Sequence, residues 1–263
     1  MAIAAVDGER LWILDQVQSR LVRLDGGALG TSVAVPVRVA QDLVIADGLL
    51  LVLDRLGDAT VVAIDAANGQ ERWRLPLVGD DLDSGTGVSA LLVRGGDVWV
   101  EVGHTDSVRI GGLDGTLRRG ARIPGRPSRD GRLGLAAFRS PPDQVLLTGH
   151  ALGATNPRDL PPAWSAAARF ALPVFAVRAL QSDSSGAVWL AVNTMAEGEG
   201  DAIVDEQLEV VRFDAEGHET FRDVASPEVG PEEQFRTFSC APDGALWHLA
   251  RDEDGATIER WTR

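Results

Sequence analysis

The chain has 263 residues, 44% of them hydrophobic, with 39 acidic side chains against 25 basic ones and a formal net charge of −14. Its length fits one large all-β unit or two smaller units, and its apolar fraction can supply a substantial core. The acidic excess argues against nucleic acid and anionic membrane as partners, because phosphate binding needs clustered Lys or Arg.

Every basic residue is Arg, and Tyr is absent. This reads as GC-rich coding, with a salt-adapted surface as the alternative. No apolar run reaches the roughly 18–20 residues that a membrane-spanning helix requires. Residues 1–6 are too short and lack the basic region of a signal peptide. Cys240 is the only cysteine. It has no internal partner, and its apolar neighbours favour a buried thiol over a nucleophile.

In chain order, residues 11–15 and 20–25 come first, two short apolar strands joined by a turn with Gln16, Gln18 and Ser19. Their alternation and β-branched or aromatic content read as strand rather than helix. The pair returns at 49–54 with 60–65, at 97–102 with 107–110, at 187–192 with 208–214, and at 245–249 with 257–261. Leading strands precede several pairs, at 43–46, 88–93, 175–180 and 235–240, and Gly or Asp-Gly turns follow them. Such turns supply the positive φ that tight hairpins need. Closing strands stand at 71–76 and 219–224, and Pro76 suits an edge where no N–H is required.

Self-similarity at about 40–50 residues, with about four strands per unit, is the pattern of a β-propeller. The expected fold is therefore all-β: a six-bladed β-propeller with four-stranded antiparallel blades. The blades fall near 1–38, 39–80, 81–126, 127–173, 174–229 and 230–263, within one domain spanning 1–263. The fourth unit is the faintest. Residues 133–138 and 144–148 read as strands, 156–162 as a Pro-rich loop, and 164–172 as a return to the sheet or a short Ala-rich helix. A parallel βαβ fold is set aside, because no stretch between the strands shows a clear 3.6-residue period.

Residues 13–25 carry Asp15, Arg20 and Asp25 in the rhythm of a strand ending in Asp, then Arg, a second strand and a terminal Asp. This stretch resembles an NHL repeat, with Gln18 where that family usually has Asn. Residues 54–65 follow with one extra residue and without the Arg, and the later units keep only the strand rhythm. Gluconolactonase-like and streptogramin-lyase-like propellers share that rhythm. The last unit supplies strands near 234–240, 245–250 and 256–262, so the final blade is expected to lack its outer strand. An unpaired edge of that kind invites association, and it suggests a native protein with an upstream segment that could carry an export signal. The compartment stays unknown.

Propeller function sits at the channel mouths, a fold-level inference. The polar residues expected there are Gln41, Asp42, Ser89, Arg132, Arg178, Gln234 and Arg236. Arginines facing a channel can hold a carboxylate or phosphate; pairing with acids such as Asp42 or Glu233 is the ordinary reading. His104, His150, His218 and His248 show no metal-site spacing, although His104 and His150 end comparable strands and so share a face. No cofactor is expected, save that residues 80–85 and 252–255 offer the alternating oxygen ligands Ca²⁺ takes. Neither is a full EF-hand loop, and solvated acidic turns are the plainer reading. Residues 182–189 approximate an Asp-box, a structural turn. Trp12, Trp99, Trp189 and Trp247 recur in second strands, where packing between blades is favoured over sugar stacking.

With no catalytic set assembled, the favoured function is a non-catalytic propeller that binds a protein or peptide partner through its loop face. The alternatives are a metal-dependent hydrolase or lyase, as the gluconolactonase resemblance implies, and a sugar or small-anion binder using channel arginines.

Overall fold

The computed structural model describes residues 1–79, 82, 87–153, 160–198, 203–227, 236–251 and 255–262. Among them no helix forms, and none is long and apolar enough to cross a membrane.

Six antiparallel sheets follow one another along the chain. Blade 1 holds β1 (Ala2–Ala5), β2 (Arg10–Asp15), β3 (Arg20–Asp25) and β4 (Ala28–Ala34). Blade 2 holds β5 (Asp42–Ala46), β6 (Leu49–Asp54), β7 (Thr60–Asp65) and β8 (Glu71–Pro76). Blade 3 holds β9 (Val88–Arg94), β10 (Asp97–Val102), β11 (Asp106–Gly112) and β12 (Arg122–Pro124). Blade 4 holds β13 (Arg126–Pro127), β14 (Leu133–Arg139), β15 (Gln144–Ala151) and β16 (Trp164–Arg169). Blade 5 holds β17 (Val174–Ser182), β18 (Val188–Glu197), β19 (Ile203–Phe213) and β20 (Glu219–Ala225). Blade 6 holds β21 (Phe238–Cys240), β22 (Leu246–Arg251) and β23 (Ala256–Trp261), three strands in all.

The middle strands lose the alternation of a half-buried sheet because each blade is covered on both faces. Leu50 to Leu53 and Val61 to Ile64 are all fully buried. Clusters of eight to fourteen buried residues fill five of the six seams between neighbouring blades. The seam between blades 3 and 4 has only Leu92, Trp99 and Ile123, with Leu152 against them.

Among the described residues, no strand is exchanged between the termini where the ring closes. The Ile3 N–H donates to the Arg236 carbonyl at 2.9 Å, and the Ala5 N–H to Ser239 Oγ at 2.9 Å. Ile3, Ala5 and Leu11 of blade 1 share a core with Ala241, Ala245 and Trp247 of blade 6. Apolar burial across this seam therefore does what a covalent strand swap would otherwise do.

The second-strand tryptophans lie between blades, as packing requires: Trp12 is 2% exposed, Trp99 8%, Trp189 1% and Trp247 6%. A rule links two of them. The Trp189 indole N–H donates to the Gly244 carbonyl, and that of Trp247 to the Asp7 carbonyl. Each acceptor lies between the first and second strands of the next blade. Trp99 breaks the rule, for its buried indole nitrogen has no partner among the described residues.

Blade 4 explains the exception. Gly125 alone joins β12 to β13, whereas four to twelve residues make the crossing into blades 2, 3, 5 and 6. One residue spans about 3.5 Å, so the leading strand of blade 4 cannot start at its usual place. It is only two residues long and pairs with β14 at Leu135 and Gly134 alone. Gly125 has φ +78°, and a Cβ there would sit 2.6 Å from the Leu135 carbonyl oxygen. The position therefore demands glycine. Pro127 then has no N–H to give to a ladder.

Asp15 and Arg20 pair across the β2–β3 turn at 3.1 Å. In the Asp-box-like turn, Asp183 Oδ1 accepts the Ser185 and Ala187 N–H groups at 2.7 and 3.1 Å, a structural clamp. Cys240 is buried, and burial pushes its thiol pKa up to about 12. The reactive thiolate is thus suppressed. A thiol reagent at pH 8 is expected to leave Cys240 unmodified in the native protein and to label it in denaturant; native labelling would contradict its burial.

Candidate functional site: the two mouths of the channel

Two faces lie at the ends of the channel. The first carries the turns between second and third strands and the entries into the leading strands; it is called the loop face here. The second carries the turns between first and second strands.

At the loop face, the incomplete leading strand of blade 4 leaves a cavity of about 460 Å³. It lies between the β10–β11 turn, β14 and β17, with Leu135, Ala136, Ala137 and Val177 on its walls. From Ala136 to Arg139, no described strand pairs with the inner edge of β14. Arg139 closes one end by donating to the Val174 and Phe175 carbonyls at 3.2 and 2.8 Å. Phe138 and Phe175 stand exposed, at 54% and 58%. His104 and His150 both line the cavity, so the structure brings the two together. Among the described residues, His150 Nδ1 and Thr148 Oγ1 are buried there without hydrogen-bond partners.

The cavity continues into the channel mouth, sharing His104, Arg126, Val177 and Leu180 with a second space of about 260 Å³. Arg55, Arg178, Arg236 and Glu101 also border that space. Arg126 pairs with Glu101, which also accepts the Ser89 hydroxyl at 2.9 Å. Burial pulls the Glu101 carboxyl upward, but the Arg126 charge and hydrogen bond outweigh it and hold the pKa below the usual glutamate range. A pKa lowered by folding gives stability that is present above the unfolded value and lost as pH falls through the folded one. Wild type should therefore lose its advantage over Glu101→Gln as urea midpoints are measured from pH 7 down to pH 3. A gap independent of pH would refute this assignment.

The residues expected at the mouth separate on inspection. Asp42, Arg178 and Arg236 converge on the loop-face end. Gln41 is 3% exposed and structural, its Oε1 accepting the Arg55 N–H at 3.0 Å. Arg132 is at the other face, because residues 133–139 form the second strand of blade 4 rather than the first. Its side chain is 85% exposed and lies 3.7 Å from Asp130. Gln234 and Glu233 lie outside the described residues, as do Asn156 and the acidic residues of both Ca²⁺ candidates, 80–85 and 252–255. Among the described residues, no group of three or more His, Cys, Asp or Glu side chains is placed to share a metal ion.

Sequence reasoning missed Arg126, Glu101, Arg94 and Arg129. Glu101 stands inside an apolar strand, and Arg126 opens a strand too short to show a period. Arg94 ends a leading strand and Arg129 falls in a turn, where arginine is ordinary.

Six blades of three or four antiparallel strands around a central channel define a six-bladed β-propeller. No family model and no curated protein matches the chain. Among solved structures, the chain is similar to one described as a streptogramin B lyase structure, at 13% identity and a TM-score of 0.48, over 94% of this chain and 89% of that one. It is also similar to the β-propeller domain of Cps50 (Swd1) from Myceliophteria thermophila, at 10% identity and a TM-score of 0.46, over 99% and 96% of the two chains.

Proposed function

We propose that this propeller is a non-catalytic binding module whose loop face takes an extended peptide segment of a protein partner. The observation that carries the reading is the unpaired inner edge of β14 from Ala136 to Arg139, which faces a largely apolar cavity. An exposed strand edge offers main-chain donors and acceptors to an added strand, while pockets beside it select side chains. The added strand would occupy the position that the leading strand of blade 4 leaves open. Exposed Phe138 and Phe175 flank that position, and the unpartnered His150 Nδ1 and Thr148 Oγ1 await polar groups there.

Selection of peptides from a displayed random library on the full chain tests this. Selected peptides should bind the wild type and lose at least tenfold in affinity to Ala136→Arg, which fills the cavity. They should be unaffected by Leu29→Arg on the exposed rim of β4. Failure to select any peptide, or equal binding to Ala136→Arg, would overturn the reading.

A further inference from the structure

The face opposite the loop face has its own cavity, of about 490 Å³, beside β1, β2 and β5. Four arginines border it: Arg10, Arg23, Arg94 and Arg129. Two are neutralised on the spot, Arg10 by Asp7 and Arg23 by Asp25 at 2.9 Å. Arg94 and Arg129 are not. Arg94 donates to the carbonyls of Pro127 and Val93 at 2.9 and 2.6 Å. Arg129 donates to the carbonyls of Cys240 and Ser182 at 2.5 and 3.4 Å. Among the described residues, neither forms an ion pair with a carboxylate.

Two carboxylates send some charge toward Arg129, but neither hydrogen-bonds or ion-pairs with it among the described residues. Asp183 accepts two backbone N–H groups and pairs with Arg212 at 3.4 Å. Asp243 accepts the Gly8 and Ala245 N–H groups at 2.7 and 3.1 Å. Asp47 borders the cavity and reaches neither arginine as an ion pair. Cys240, beside Arg129, stays a neutral thiol. Backbone carbonyls satisfy hydrogen-bond geometry but cancel no charge, so two like charges share one wall of a cavity. Burial and the charges of Arg129 and Arg236 push the Arg94 pKa down to about 9, which still leaves it protonated at neutral pH. Removing charge from water without a counter-charge is unfavourable. An anion entering the cavity removes that cost.

We infer that Arg94 and Arg129 form a binding site for a small-molecule oxyanion, a carboxylate or a phosphate, at the face opposite the peptide cleft. Guanidinium groups match both chemistries with paired N–H donors. The apolar remainder of the cavity, which includes Trp12, Val44 and Ile45, would receive the body of the molecule that carries the anion. The site is separate from the loop face, so it does not depend on the proposed function.

The test uses the full chain with inorganic phosphate and with succinate as probes, in thermal melts and calorimetric titration, against sodium chloride at equal ionic strength. One probe or both should raise Tm beyond the chloride control and bind one per chain; which probe acts tells phosphate from carboxylate. Arg94→Gln and Arg129→Gln should each weaken that binding at least tenfold. Without added anion, Arg94→Gln should melt no lower than the wild type, because it removes an uncompensated charge. If Arg94→Gln does not fold, Arg129→Gln carries the test. Chloride matching both probes, or binding that survives Arg129→Gln, would overturn the site.

Discussion

Asp42→Ala is expected to destabilise the protein by about 3–5 kcal/mol, the usual cost of breaking a buried ion pair from one side. The Asp42 side chain is 1% exposed and that of Arg236 12%. Arg236 Nε and Nη2 each donate to the Asp42 carboxylate at 2.7 Å. The same carboxylate accepts the Leu91 N–H at 2.7 Å and the Leu43 N–H at 2.8 Å. Arg236 also donates to the Leu91 carbonyl at 2.5 Å. One pair thus ties blades 2, 3 and 6 across the channel. Burial lowers the Arg236 pKa, but the Asp42 charge and hydrogen bonds more than offset it and raise it overall. At this chain length the loss corresponds to a fall in Tm of about 5–10 °C. Asp42→Ala/Arg236→Met should recover part of it, since the stranded charge is then gone. Denaturant midpoints for the four members of the cycle measure the coupling, and strictly additive losses would contradict this account of ring closure.

The tryptophans give the second large effect. Trp189→Ala should cost about 3–5 kcal/mol, because the side chain is 1% exposed and packs edge-on against Phe221 at 5.7 Å. The sharper comparison uses phenylalanine. Trp189→Phe removes the N–H that Gly244 accepts and leaves its carbonyl unsatisfied, a penalty of about 1–3 kcal/mol. Trp99→Phe removes an indole N–H that is buried and already unpartnered, so it should cost clearly less. Thermal melts of the two variants decide the point. Equal losses would mean that the blade-to-blade hydrogen bond contributes nothing.

The parts of this fold that could be read in advance share one property: they repeat. The second and third strands pack on both faces, so runs such as those at 49–53 and 61–64 are apolar throughout and stand out from their turns. The tryptophans recur because each second strand meets the same kind of seam. The three-stranded last blade follows from simple strand order near the C-terminus. Blade 4 was faint for a physical reason. Its leading strand is Arg126–Pro127, too short for any alternation and bounded by prolines, so residues 133–138 stood out in its place. Arg132 therefore stands before a second strand, at the face opposite the loop face.

The site was less legible than the fold because it arises from an omission. A cavity left by a missing strand segment has no motif. Its lining comes from blades 3, 4 and 5, and no local pattern links His104 to His150 or Ala136 to Val177. The apparent rhythm of His104 and His150 is no guide to it, because His104 follows the second strand of blade 3 whereas His150 stands near the end of the third strand of blade 4. The uncompensated charges of Arg94 and Arg129 are still further from view, because compensation is a property of neighbours in space.

The central claim is that the unpaired edge of β14 receives a strand. Amide hydrogen exchange of the full chain, with and without a saturating library-selected peptide, tests it most directly. The account expects exchange to slow at the amides of residues 136–139, with smaller effects along β17. Saturating peptide that leaves 136–139 unchanged while slowing exchange elsewhere would contradict it.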